Sequence, residues 1–160
     1  RARLVGSEMC IRDSIYAVGD VIGPPWLAHV SSSEGLYVVE HIAKLSPKKI
    51  DYDCVPACTY SKPEIGSIGL SQKILDERGI DYKVVKSFFN ANGKAVASDS
   101  TEGFIKILVS DRNQILGAHI IGSNATEMIS EFSLAMSNNL SVENILDSIH
   151  PHPTLSLIHI

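Results

Sequence analysis

The run from residue 104 to residue 122 does most to limit what this chain can fold into. Ile105, Ile107 and Val109 alternate with Lys106 at the period of a strand. Asp111-Arg112-Asn113 supplies a turn, and residues 114–121 return as a second strand, which makes a β-hairpin. After Gly122 the period changes. Ala125, Met128, Ile129, Phe132, Ala135 and Met136 fall on one face of a helix. A hairpin followed by a helix with a single apolar face predicts an α+β fold, an antiparallel sheet with helices on one face.

The rest of the chain fits that plan. Residues 15–22 read as a short buried strand ended by Gly19 and Asp20, and Gly23-Pro24-Pro25 breaks it. Residues 27–45 read as a helix with Leu36, Val39 and Ile42 on its inner face, stopped at Ser46-Pro47. Lys48, Lys49, Asp51 and Asp53 form a polar stretch, read as the boundary between a domain segment at 15–47 and a domain at 48–156. Residues 54–60 and 64–70 read as strands joined through Lys62-Pro63. Ser71 caps a helix running to Arg78 and stopped by Gly79. Residues 82–89 are rich in β formers with apolar residues in both phases, which predicts burial on both faces. Residues 90–101 are small and polar, a loop or loose helix. Ser141 caps a last short helix carrying Ile145, Leu146 and Ile149.

Composition narrows the function. At 160 residues the chain can bury a real core. A net charge of −4 gives no encouragement to nucleic acid or anionic membrane surfaces. No apolar run approaches the ~20 residues that a membrane span needs. Three cysteines, an odd number, argue against a secreted disulfide framework and favour a reducing compartment.

Three stretches carry possible chemistry. In His150-Pro151-His152-Pro153-Thr154, proline removes a backbone donor, fixes φ and restricts the residue before it. His152 therefore sits on a stiff segment, which suits either a plain surface turn or an imidazole aimed at something. Histidine takes and returns a proton near neutrality. His-x-His as a metal pair needs further ligands, and none is close in sequence, so no metal site is expected. Cys54 and Cys58, if both lie on a strand, are separated by roughly 13 Å. A disulfide needs less than about 7 Å, so two buried structural thiols are the simpler account. Asp20 after Gly19 reads either as a turn cap or as an acceptor for ligand hydroxyls.

His150-Pro151-His152-Pro153-Thr154-Leu155-Ser156 resembles the C-terminal signature of the dihydrolipoamide dehydrogenases, within the FAD-dependent pyridine nucleotide-disulfide oxidoreductases. Tyr16-Ala17-Val18-Gly19-Asp20-Val21 followed by Trp26-Leu27-Ala28-His29 resembles that family's closing FAD-binding segment. Tyr60-Ser61-Lys62-Pro63-Glu64-Ile65-Gly66 resembles the start of its interface domain. The three matches stand in the family's order over residues 15–156.

The resemblance implies a C-terminal part of such an enzyme, with residues 15–47 closing the FAD-binding domain and 48–156 forming the dimerisation domain. It implies that His152 is the catalytic acid/base, serving the flavin of a partner subunit. Asp20, Trp26, Leu27, Ala28 and His29 would line a partial FAD site. There Asp20 would accept from the ribityl hydroxyls, and the helix start at Leu27, Ala28 and His29 would face the electron-rich side of the flavin. Trp26 and His29 read as packing residues rather than proton carriers. NAD is implied for the whole enzyme. The implied partners are a second copy and the lipoyl domains of 2-oxo acid dehydrogenase complexes or the glycine cleavage system; the implied compartment is the cytoplasm, or the mitochondrial matrix in a eukaryote.

The sequence departs from the pattern in places. Leu157 stands where the family has a glutamate that orients the imidazole, and the redox C-x₄-C pair and a G-x-G-x-x-G loop are absent from this sequence. By itself the chain is therefore expected to be inactive. The alternatives are a related disulfide reductase of the glutathione reductase or soluble transhydrogenase type, or a non-catalytic interaction module; the mercuric reductases fit less well because their terminal cysteine pair has no counterpart. Residues 1–14 and 157–160 do not follow the family pattern and read as foreign flanks. Uninterrupted native coding sequence across positions 14–15 and 156–157 of the parent gene would contradict that reading.

Overall fold

The computed structural model describes residues 10–12 and 15–159. They fall into two units, divided between Tyr52 and Asp53.

In the first unit, β1 (Cys10–Arg12) and β2 (Ile15–Tyr16) pair antiparallel. The strand expected over residues 15–22 stops after two residues. Gly19 turns to φ +78, and a 3-10 turn occupies Gly19–Ile22. Nor is the strand buried, since Ile15 is 54% exposed. Helix α1 (Ala28–Ile42) starts where extended Leu27 offers its carbonyl to the Val30 and Ser31 amides at 3.0 and 3.1 Å. It ends before Ser46, which turns to φ +52.

The buried face of α1 is Val30, Glu34, Tyr37 and Val38. Leu36, Val39 and Ile42, the expected inner face, are exposed. The helix carries two apolar stripes, and the unit's own apolar residues decide between them: Tyr16, Ile22 and Ile50 pack on Tyr37 and Val38. Glu34 made that stripe look polar. Its carboxylate is satisfied by donors distant in sequence.

The second unit is built on the hairpin. Its strands are β3 (Ala57–Thr59), β4 (Glu64–Gly69), β5 (Lys83–Phe88), β6 (Gly103–Val109) and β7 (Ile115–Gly122). Among the described residues they form one antiparallel sheet in the order β3-β4-β7-β6-β5. Between strands run α2 (Gln72–Arg78) and α3 (Gly93–Ala97); α4 (Ala125–Ser137) and α5 (Val142–Leu146) follow. Register brings Gly66, Ile120 and Ile105 into one row and Ile68, Ala118 and Ile107 into the next, on the same face. Helix α4 covers that face with Ala125, Ile129, Phe132 and Ala135, all at most 3% exposed. The α+β fold, a five-stranded antiparallel sheet with helices, is the architecture observed. Helix α4 covers one face, while Gln72 of α2 accepts from Lys106, which alternates with Ile105 and Ile107 and so lies on the opposite face.

Local signals also act as expected around α2. Ser71 accepts from the Ile74 amide at 3.3 Å, and Gly79 ends the helix at φ +64. Other expectations need correction. Cys54 lies in a 3-10 turn, Tyr52–Cys54, and β3 begins only at Ala57, after Pro56 has removed a ladder donor. Residues 83–88 form an edge strand, paired on one side only, so Val84, Val85 and Phe88 are 43–53% exposed instead of buried. Residues 90–101, read as a loop or loose helix, do hold a short helix, α3, capped by Asn92, whose Oδ1 accepts from the Lys94 and Ala95 amides at 3.0 and 3.1 Å. Of Ile145, Leu146 and Ile149 only Ile145 turns inward; Leu146 is 47% exposed and Ile149 fully exposed.

Gly66 lets α4 approach the sheet. A Cβ there would lie 2.4 Å from the carbonyl oxygen of Ala125 and 3.0 Å from Ile129 Cβ. Gly66→Ala is expected to destabilise the unit by about 2 kcal/mol or more through overpacking. Gly93→Ala has open space around its new methyl; its urea midpoint should stay near or above that of the parent. Equal midpoints for the two variants would contradict this packing.

Candidate functional site

The His-Pro-His-Pro segment leaves α5 through Ser148 and is fastened on both sides. Upstream, the His150 ring is nearly enclosed, with 7% of its side chain exposed. Its Nδ1 lies 2.9 Å from the Ser148 carbonyl oxygen and its Nε2 2.6 Å from Glu131 Oε1 on α4. A carbonyl and a carboxylate accept and cannot donate, so only the imidazolium, with two N–H groups, satisfies both. The Glu131 bond accordingly raises the His150 pKa above its ordinary value of 6.5, against the opposing effect of burial and with help from Ser148.

Downstream, Thr154 Oγ1 donates to the Pro151 carbonyl at 2.7 Å and lies 2.8 Å from Ser156 Oγ. Asn92, only 6% exposed, donates from Nδ2 to the Thr154 carbonyl at 3.2 Å. Between these two fastenings His152 is exposed, and its bond to Pro153 is cis. It lines a cleft of about 200 Å³ with Asn92, Lys94, Thr154 and Leu157. Leu157 thus shares a cleft with His152, while the next residue, Ile158, is buried in the core at 2% exposure.

The second segment belongs to the first unit. Asp20, Trp26, Ala28 and His29 are exposed, and Leu27 is half-buried. The backbone beneath them is fixed from inside. Glu34, 3% exposed, accepts from the Gly19 amide at 2.7 Å and from the Tyr52 hydroxyl at 2.8 Å. The Asp20 carboxylate therefore extends from a held turn, close in sequence to the N-terminus of a 15-residue helix. The first amides of a helix have no intrahelical partner and favour negative charge.

Sequence reasoning missed Glu34, Asn92 and Glu131. Asn92 before a short helix could have been read as a cap; its bond to Thr154, 62 residues away, could not. Glu131 bonds across 19 residues and gives no local signal.

Cys54 and Cys58 are half-buried thiols that form no disulfide with each other. Cys58 donates to the Thr126 carbonyl at 3.7 Å. Burial first, then Glu127 and Glu64, push its thiol pKa up, which disfavours a thiolate nucleophile. His119 is a sheet residue, with Nε2 3.1 Å from the Leu70 carbonyl and a pKa lowered by burial. Among the described residues no group of three or more His, Cys, Asp or Glu side chains could hold a metal. No helix among them is long and apolar enough to cross a membrane.

A five-stranded antiparallel sheet backed by α4, closing on a fastened histidine segment, defines the class. Residues 55–159 match the dimerisation domain of the pyridine nucleotide-disulphide oxidoreductases, and the chain belongs to that family. Its similar relatives are dihydrolipoyl dehydrogenases. The mitochondrial enzyme of Caenorhabditis elegans is 46% identical over 144 residues, which is 89% of this chain and 29% of that protein. The Bacillus subtilis enzyme is 46% identical over 143 residues, covering 89% and 30%. The human mitochondrial enzyme is 44% identical over 144 residues, covering 89% and 28%. The chain thus spans about three tenths of the length of these relatives.

Among solved structures, LpdA from Mycobacterium tuberculosis superposes with a TM-score of 0.85 at 26% identity, over 90% of this chain and 32% of that one. A Cu(II) complex of RclA, an HOCl-induced flavoprotein disulfide reductase of Escherichia coli, gives 0.83 at 26% identity, over 93% and 34%.

The raised His150 pKa fixes a sign. Its stabilisation is fully present below the unfolded value of about 6.5 and is lost as pH rises through the higher folded value. His119, shifted downward, acts oppositely and costs stability as pH falls. Comparing the parent with Glu131→Gln separates the two. The difference in urea midpoint should be largest near about pH 6 and shrink towards about pH 9; a constant difference would contradict the assignment.

Proposed function

We propose that the chain is the C-terminal part of a dihydrolipoyl dehydrogenase, which oxidises dihydrolipoamide to lipoamide and delivers the electrons through FAD to NAD. Residues 15–47 close the FAD-binding domain in this reading, and 48–156 form the dimerisation domain. The observation that carries it is the exposed His152 on its fastened segment, in a chain 44–46% identical to enzymes of that name.

His152 acts as the base. A ring nitrogen takes the proton from a dihydrolipoamide thiol, leaving the thiolate as the nucleophile towards the enzyme's redox disulfide. Over the whole reaction the dithiol loses two electrons and two protons as its S–S bond forms. NAD⁺ gains two electrons and one proton, and His152 returns the other proton to solvent. Cys54 and Cys58 are not that disulfide. In this reading they are structural, and the chain without the rest of the enzyme is inactive.

The residues of the first unit fit FAD by their donor set. An exposed carboxylate suits a chain of hydroxyls, and a helix N-terminus beside Leu27, Ala28 and His29 suits an electron-rich ring. When bound, FAD supplies the two-electron relay between dithiol and nicotinamide. Asp20 holds the hydroxyl chain, while Trp26 and His29 shape and pack the site. The reading further implies a homodimer in which His152 serves the neighbouring subunit's flavin, lipoyl domains as partners, and a cytoplasmic or mitochondrial-matrix location. Leu157 favours a second reading, a dimerisation module that has lost efficient proton transfer, since leucine cannot orient or stabilise an imidazolium.

In the full-length enzyme, His152→Ala should slow flavin reduction by dihydrolipoamide by roughly 10²–10⁴. Leu157→Glu, which restores a carboxylate to the cleft, should speed it. A parent-like rate for His152→Ala would overturn the reading.

A further inference from the structure

Among the described residues the His152 side chain has no hydrogen bond or ion pair of its own. With leucine at 157, no carboxylate at that position steers the ring either. Its direction must come from the backbone that carries it. The downstream side is held by Asn92 and Thr154. The upstream side has one strong fastening, His150, whose ring is bonded to Glu131 and to Ser148.

We propose that His150 and Glu131 are positioning residues for His152: an imidazolium–carboxylate clamp pins the backbone just before Pro151 to helix α4 and sets where the exposed ring points. The inference rests on His152 being the base. Three features carry it. The clamp is short, 2.6 Å, with the histidine almost wholly covered. Proline at 151 and 153 makes the link from the pinned residue to His152 stiff, so displacement at 150 is transmitted rather than absorbed. Glu131 sits in the α4 turn whose neighbour, Phe132, is 1% exposed in the core, so the anchor cannot drift.

The two histidines thus divide the work. His150 spends both ring nitrogens on structure, and its proton is held in place by two acceptors. His152 keeps its ring open to the cleft. The other charged groups around the clamp are Glu127 on α4 and Lys94 on α3, which line one cleft with Glu131. They carry opposite charges.

The test uses the full-length holoenzyme and two half-reactions followed by flavin absorbance. Dihydrolipoamide reduction needs His152, whereas reduction by NADH does not pass through the dithiol. Glu131→Gln and His150→Ala should lower the dithiol rate by about 10- to 100-fold, the scale of a misplaced reacting group. They should leave the NADH rate unchanged and move the alkaline loss of the dithiol rate to lower pH. His150→Gln, which still donates to Glu131, should recover part of the rate. Ring ¹⁵N shifts in histidine-labelled protein give a readout free of turnover: His150 should be imidazolium at neutral pH and lose that state in Glu131→Gln.

Unchanged dithiol rates in both clamp variants would overturn the clamp, provided His152→Ala is slow. Equal loss of both half-reactions would overturn it too, by showing a merely structural role. Parent-like behaviour of His152→Ala would instead remove the functional reading beneath it.

Discussion

Helix α4 lies against the sheet where Gly66 leaves room for the Ala125 carbonyl, and both the core and the histidine segment depend on that contact. Inward, Ala125, Ile129, Phe132 and Ala135 close the hydrophobic core over β4, β6 and β7. At its start, the Thr126 amide and hydroxyl donate to Glu64 on β4 at 3.2 and 2.7 Å, which fixes where the helix begins along the sheet. From another face Glu131 holds His150. One helix therefore converts sheet packing into the placement of a loop more than a dozen residues further on.

The same device recurs in the first unit. Glu34 leaves α1 to take the Gly19 amide and the Tyr52 hydroxyl, so a buried carboxylate fixes the backbone next to Asp20. Removing a charge from water is costly unless donors replace the lost hydration. Glu34 meets this with two neutral donors and Glu131 with a charged ring. In both units the side chain proposed to act, Asp20 or His152, is exposed while a carboxylate, the buried Glu34 or the half-buried Glu131, holds the chain beside it. Such an arrangement keeps a working group accessible and still directed, without tying up its own atoms.

Much of the fold was legible because it rests on local rules. The β6–β7 hairpin followed from alternation and a turn, α2 from Ser71 and Gly79, and the inner face of α4 from its 3.6-residue period. What failed was decided at a distance. Residues 83–88 carry the pattern of a central strand yet lie at the sheet edge, since strand order is not written in any one strand. On α1 two apolar stripes competed, and the buried one contains Glu34. Resemblance identified His152 and the Asp20 segment as candidates. Their supports, Asn92, Glu131 and Glu34, could not be read because each bonds to residues 15 or more positions away.

The central claim is that the imidazole of His152 moves the proton of the dithiol. Chemical rescue tests it most directly. If the claim holds, adding free imidazole to the full-length His152→Ala enzyme restores flavin reduction by dihydrolipoamide, in proportion to the concentration of neutral imidazole. A slowed His152→Ala enzyme that imidazole leaves slow across that range would contradict it.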